Sequence, residues 1–234
     1  MKEKLNIYSW AVITTYALAC SILYMAGFWS FFNINVLQFI ELKDILKTVA
    51  IPLGSGLIIY VTTVILYNYN IPDEETRKNY LNEGGVFKGL IYFIYFMGLI
   101  CMVGFAAGII KDIFFDEPQY KLRGYVSTLS IVVIYLLINK TNFLSESGNH
   151  RNWIIPIICF LPLASLTKGL SDGKDIHDGK GTYIVISDTA CLTNGAKYRY
   201  ISTLSDKAFA LSLADDSICV FKYNYLRFTK EKNP

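Results

Sequence analysis

The sequence predicts an α-helical integral membrane domain of four to five transmembrane helices, followed by a small C-terminal all-β meander or barrel. Three observations predict it. Of 234 residues, 53% are hydrophobic and only 18% are charged, where soluble domains carry about 25% charge. The apolar residues gather into five blocks, Ile7–Phe32, Val49–Tyr67, Gly89–Ile110, Tyr125–Ile138 and Trp153–Leu166, and none contains an Asp, Glu, Lys, Arg or His. After Lys168 the pattern changes to short β-prone stretches. This combination excludes a soluble globular enzyme, a disulfide-dense secreted scaffold and a disordered tail protein. The organisation expected is a multi-pass membrane domain over 1–168, a polar Gly/Asp-rich linker over 169–181 and a β module over 182–234.

The first three blocks, of 26, 19 and 22 residues, meet the length of about 20 apolar residues that a membrane helix needs. The last two have 14 each. Their flanks favour crossing, because Arg123 and Lys140 bracket one, Arg151 and Lys168 the other, and long basic side chains can snorkel to the headgroups. Tyr8, Trp10, Trp29, Tyr67, Tyr69, Tyr120, Tyr125 and Trp153 lie near block ends, where an apolar ring with a polar tip suits the interface. The first block is too long for a signal-peptide core and is read as a retained span.

Sidedness is poorly encoded. With five crossings, Lys and Arg divide seven to one side and eight to the other, so the positive-inside rule gives no orientation. Cys191 and Cys219 in the tail could make one disulfide, but no dense framework exists. The tail is placed in the cytoplasm of a bacterial cell.

Between the blocks, Asn35–Thr48 sets Phe39, Leu42, Ile45 and Leu46 against Glu41, Asp44 and Lys47 at helical spacing. This predicts a short amphipathic helix on the membrane surface or a polar loop. Ile71–Lys78 places a proline and acids ahead of bases, as a helical turn does.

In the tail, Tyr183–Ser187 and Ala190–Thr193 lead to Asn194-Gly195, a tight-hairpin signal. Lys197–Thr203 would be the returning strand, then Phe209, Leu211 and Leu213 alternate with small residues, and Ile218–Tyr223 and Leu226–Thr229 follow. About 55 residues bury little core, so the module is expected to pack on the membrane segments or on sister subunits.

Chemistry has little material. Asp172, Asp175, His177 and Asp178 cluster, but their spacing fits neither a calcium loop nor a zinc site, and a polar linker accounts for them. No phosphate-loop, nucleophile-elbow or zinc-protease motif is present. No catalytic, cofactor or metal residue is assigned, and no enzyme is expected. Gly104 and Gly108 form a GxxxG match, and Gly54 and Gly56 follow Pro52, with which they could break a helix; these four glycines are the expected helix-packing or oligomerisation positions. Lys197, Tyr198, Arg199 and Tyr200, with Lys222, Tyr223, Tyr225 and Arg227, interleave bases with aromatics. Residues 168–234 hold ten Lys/Arg against eight acids, too even a balance for strong phosphate binding. Direct nucleic-acid binding is therefore not expected, and these eight residues are assigned to protein contact, where Tyr and Arg are favoured.

The function these features imply is a membrane sensor or scaffold, a homo-oligomer in lipid that recruits or signals to a soluble cytoplasmic partner through the β module. The alternative is a pore gated by that module. In the layout of the whole chain, a multi-pass helical domain followed by a small β module, the sequence resembles KwaA-like membrane subunits of the Kiwa antiphage defence system. The resemblance implies a sensor of phage attack working with a cytosolic effector, and it carries over no individual residue.

Overall fold

The computed structural model describes residues 2–48, 84–145, 151–186, 197–223 and 225–231, with isolated positions between 54 and 82. Most of the block Val49–Tyr67, most of the Ile71–Lys78 turn, Gly56, Cys191 and the Asn194-Gly195 hairpin lie outside the described residues. Four long helices are seen: α1 (Lys2–Trp29), α2 (Gly85–Phe114), α3 (Pro118–Lys140) and α4 (Arg151–His177). Each contributes a stretch long and apolar enough to cross a membrane, Thr14–Phe32 (α1 continued by the 3-10 turn Ser30–Phe32), Lys88–Phe114, Pro118–Lys140 and Ile154–His177. The two short apolar blocks thus sit in helices of 23 and 27 residues, which rise about 35–40 Å. The protein is an integral membrane protein with a C-terminal β module.

The chain divides into two compact units, one of residues 1–53 with 161–234 and one of residues 54–160. In the second unit α2 and α3 form an antiparallel hairpin through a turn at 115–117. Asp112 closes it, accepting two hydrogen bonds from Arg123, Nε at 2.7 Å and Nη2 at 2.6 Å. Gly124 makes room for this pair, since a side chain there would meet Ile113 at 2.6 Å. Much of α2 is apolar and exposed, with Phe96 at 59% and Met102 at 67%, as expected of a helix with a broad lipid-facing surface. Arg151 caps α3, donating to the carbonyls of Leu137 and Ile138 in its last turn and of Thr141 and Phe143 beyond it; the last carbonyls of a helix lack backbone donors from the helix itself.

In the first unit α1 and α4 run parallel. Tyr24 O lies 2.1 Å from where a Cβ on Gly169 would stand, and Phe28 O lies 2.3 Å from one on Gly173. The Tyr24 hydroxyl donates to Asp172 at 2.9 Å. Gly169 and Gly173 therefore form a GxxxG face that the α1 backbone occupies, with Gly27 of α1 equally close to Leu166 O at 2.6 Å. This corrects the expected linker, because residues 169–177 are helix. Glycine costs about 1 kcal/mol in a helix, and here close backbone packing and the Lys168–Asp172 pair at 2.5 Å hold the last turns together. Among the described residues a Cβ at Gly54, Gly104 or Gly108 would meet nothing within 4 Å, so the close packing expected of these three glycines is not seen there; Gly56 lies outside the described residues.

Five strands follow: β1 (Tyr183–Ile186), β2 (Tyr198–Leu204), β3 (Lys207–Ser212), β4 (Ile218–Lys222) and β5 (Arg227–Lys230). All neighbours are antiparallel, in the order β4-β3-β2-β1-β5. The first four strands are the expected meander, but β5 returns to pair with β1 at the far edge. Across a flat sheet the two edges would stand about 19 Å apart, and the few residues of 223–226 barely reach that far, so the sheet must curl. Period-two alternation builds both of its faces. Ala208, Ala210, Cys219 and Phe221 face one cluster with Val185, Tyr198 and Tyr200. Phe209, Leu211, Ile201 and Leu204 face the other, against Met25, Phe28, Trp29 and Phe32 of the α1 end. The module is thus completed by the first membrane helix, as its small size requires.

Candidate functional site

Of the eight residues assigned to partner contact, the fold separates two groups. Lys197, Lys222, Tyr223, Tyr225 and Arg227 are exposed. The last four come from the end of β4, the connection after it and the start of β5. Lys222 pairs with Asp206 at 2.6 Å in solvent, where such a pair contributes little. Exposed Tyr183, Ile186 and Phe228, at 48%, 48% and 46%, lie on the paired strands β1 and β5, and Ile186 stands opposite Arg227. Phe228 ends the stretch expected to make partner contact, whereas the sequence does not single out Tyr183 and Ile186, because their alternation resembles that of any half-buried strand. By strand alternation Tyr183 and Phe228 share one face of β1 and β5, and Ile186 and Arg227 the other; Tyr, Phe and Arg are residue types that protein-binding surfaces favour.

Tyr198, Arg199 and Tyr200 belong to the framework. Tyr198 and Tyr200 pack into the inner cluster, and the Tyr200 ring meets Phe228 edge-on at 4.8 Å. Burial raises the Tyr200 hydroxyl pKa above its ordinary value. Arg199 is only 12% exposed and forms a two-point pair with Glu231, Nε and Nη2 each at 2.8 Å. Its remaining nitrogen donates to Ile176 O at 3.2 Å and His177 O at 2.5 Å, the last carbonyls of α4. One guanidinium thus caps the membrane helix and ties it to the strand-end residue Glu231. The Arg199 hydrogen bonds hold the Glu231 carboxyl below the ordinary range although burial opposes this.

A second tie was invisible in the tail sequence. Leu204 pairs with Lys207 across a two-residue turn, and Ser205 takes φ of 54° there. The buried Asp44 carboxylate accepts from the Ser205 backbone N at 3.0 Å, from Ser205 Oγ at 2.7 Å and from Glu41 N at 3.0 Å. The Glu41-x-x-Asp44 spacing is that of a capping box at the start of the helical residues 42–48, the one signal that could have found it. Burial disfavours the Asp44 carboxylate, but these donors outweigh it and hold its pKa below the usual value.

Both depressed carboxyls contribute stability above their unfolded pKa values near 4 and lose it as pH falls through the folded values. The Ser205 turn is therefore expected to loosen below about pH 4. At neutral pH, Asp44→Ala should weaken it by about 2 kcal/mol, because two donors lose their acceptor. Hydrogen exchange of residues 203–207 in nanodiscs is the check; unchanged protection in Asp44→Ala would mean that the tie is not energetic.

Asp172, Asp175, His177 and Asp178 do not converge on one point. Asp172 is engaged by Tyr24 and Lys168, Asp175 and Asp178 by Lys180, and no group of three His, Cys, Asp or Glu that could hold a metal ion occurs among the described residues. Cys20, Cys101 and Cys159 are free, while Cys219 is disulfide-bonded. The fold and its surfaces thus define the class, a multi-pass membrane protein carrying a curled five-stranded module. No known family, curated protein or solved structure matches the chain.

Proposed function

We propose that the protein is a membrane scaffold or sensor, an oligomer in the bilayer, that presents its β module to a soluble protein partner. The observation that carries this reading is a division of labour in the module. One face is built onto α1 through Phe209, Trp29 and Phe39, while Lys222, Tyr223, Tyr225, Arg227, Tyr183 and Phe228 are left exposed. A change at the end of the membrane helix then reaches a docking surface through packed side chains. The resemblance to Kiwa membrane subunits extends the reading to bacterial antiphage defence, with a cytosolic effector as the partner.

Deleting the tail is a poor test, since it would strip the cover from Trp29 and Phe32. Point changes are cleaner. A photo-crosslinker at Tyr225 in cells should give a discrete protein adduct that Tyr223→Ser with Arg227→Glu abolishes, while one at Val86 on α2 gives none. No adduct at Tyr225, or ion flux through the purified reconstituted protein, would overturn the scaffold reading in favour of a pore.

The parallel course of α1 and α4 supports five crossings. Parallel spans put the N-terminus and the tail on opposite faces, so an odd number of passes separates them. The antiparallel α2–α3 hairpin supplies two passes; Val49–Tyr67, the further span expected from the sequence, lies mostly outside the described residues. A specific observation favours a second reading of the side. Cytosolic thiols stay reduced, whereas Cys219 is disulfide-bonded; in this second reading the module lies on the oxidising, exoplasmic face, and its partner is a soluble protein there instead of a cytosolic effector. Reporter fusions at both termini test both points. Alkaline phosphatase active at the C-terminus and a fluorescent N-terminal fusion would support five crossings and the exoplasmic module; both termini on one face would exclude five.

A further inference from the structure

After α1 the chain turns at Asn33, where φ is 51°, and residues 42–48 form a helical segment. Its residues sort by angle at 100° per position. Asp44 is buried and Ile45 half-buried toward the protein, while Leu42 and Leu46 are 64% and 53% exposed. Lys43 and Lys47 come next around the helix, both exposed, Lys43 within 2.9 Å of the equally exposed Glu41. The order around the helix is therefore apolar groove wall, leucine, lysine. That is the order of depth in a bilayer surface: hydrocarbon, boundary, headgroup.

On its Ile45 side the segment meets the last two turns of the first span across a groove of about 340 Å³. Ile22, Met25, Trp29, Val36, Ile40 and Ile45 line it, and Asn33 and Asn35 supply exposed polar lining. The volume lies at the small end of the roughly 300–1,000 Å³ of small-molecule sites. A helix is too wide for it, and a single extended hydrocarbon chain is not. Its floor belongs to the span Thr14–Phe32, so the groove is continuous with the hydrocarbon of the membrane.

We infer that this groove holds one acyl chain of an anionic phospholipid whose phosphate lies against Lys43 and Lys47. The leucines insert beside it, and the lysines complement the headgroup charge. Asp44, next in sequence to the groove residue Ile45, holds the Ser205 turn of the β module, so occupancy of the groove bears directly on the module. That last step rests on the scaffold reading; the lipid site itself does not.

The test uses the full chain with Trp10→Phe and Trp153→Phe, leaving Trp29 as the one fluorophore, in nanodiscs with chain-brominated lipids. Brominated phosphatidylglycerol should quench Trp29 more strongly than brominated phosphatidylcholine at equal mole fraction. The exposed change Lys47→Gln should lower that preference about fivefold, the worth of one lysine at an anionic surface. Ala26 also lines the groove, and Ala26→Phe, which fills it, should reduce quenching by both lipids while the unquenched emission stays unchanged. Equal quenching by the two lipids, or a preference untouched by Lys47→Gln, would overturn the site. Loss of the lipid preference with the Tyr225 adduct intact would refute the relay to the module and leave the lipid site standing.

Discussion

Phe209→Ala is expected to release the β module from the membrane helix. The Phe209 side chain is fully buried, with its ring 4.9 Å from Trp29 and 5.4 Å from Phe39, both edge-on. Truncating a buried phenylalanine costs about 3–5 kcal/mol, and aromatic pairs of this geometry add about 0.5–1.5 kcal/mol each. A domain holds only about 5–15 kcal/mol in all, so the loss is a large part of what seats the module. Hydrogen exchange in nanodiscs should show β2 and β3 opening while the α2–α3 hairpin keeps its protection. Phe209→Leu, which keeps most of the volume, should cost far less. Equal protection of β3 in the wild type and Phe209→Ala would mean that the α1 face contributes nothing to holding the module.

The second large effect is expected at Arg199. Arg199→Met removes the donor to two carbonyls at the end of α4 and leaves the Glu231 carboxylate, 15% exposed, without its cation. Removing one partner of a buried pair costs about 3–5 kcal/mol, and the residual exposure of this pair puts the loss near the lower bound. Arg199→Lys should not rescue it, because a point charge cannot fork between a carboxylate and two carbonyls. Arg199→Met with Glu231→Leu should recover part of the loss, since no charge is then stranded. The readout is exchange at residues 174–178 and 227–231, which should rise together in the single variant. If only one stretch responds, Arg199 does not join helix and strand.

The membrane spans were legible because hydrocarbon excludes charge from every residue of a span, a rule that needs no partner to act. Strands β2 to β4 were legible for a similar reason: Phe209 and Leu211 alternate with Ala208 and Ala210 on the two faces of one strand. Residues 169–177 misled, because glycines and aspartates are poor helix formers taken alone. Gly169 and Gly173 are there so that Tyr24 and Phe28, some 145 positions earlier in the chain, can approach. Arg199 and Tyr200 misled in the other direction. Basic-aromatic interleaving looks the same whether the side chains face solvent, as Tyr225 and Arg227 do, or cap a helix from inside.

By itself the sequence determined that this is a multi-pass membrane protein with a small β module, since hydrophobic periodicity and charge exclusion are local properties of the chain. Only the tertiary structure decided which glycines pack, which arginine is a cap and how the module is completed. Those are long-range matters: Asp44 to Ser205, Trp29 to Phe209 and Ile176 to Arg199 each join residues whose partners no local pattern specifies. Each of these groups could be satisfied by many others, and only the folded chain brings the particular partner within reach.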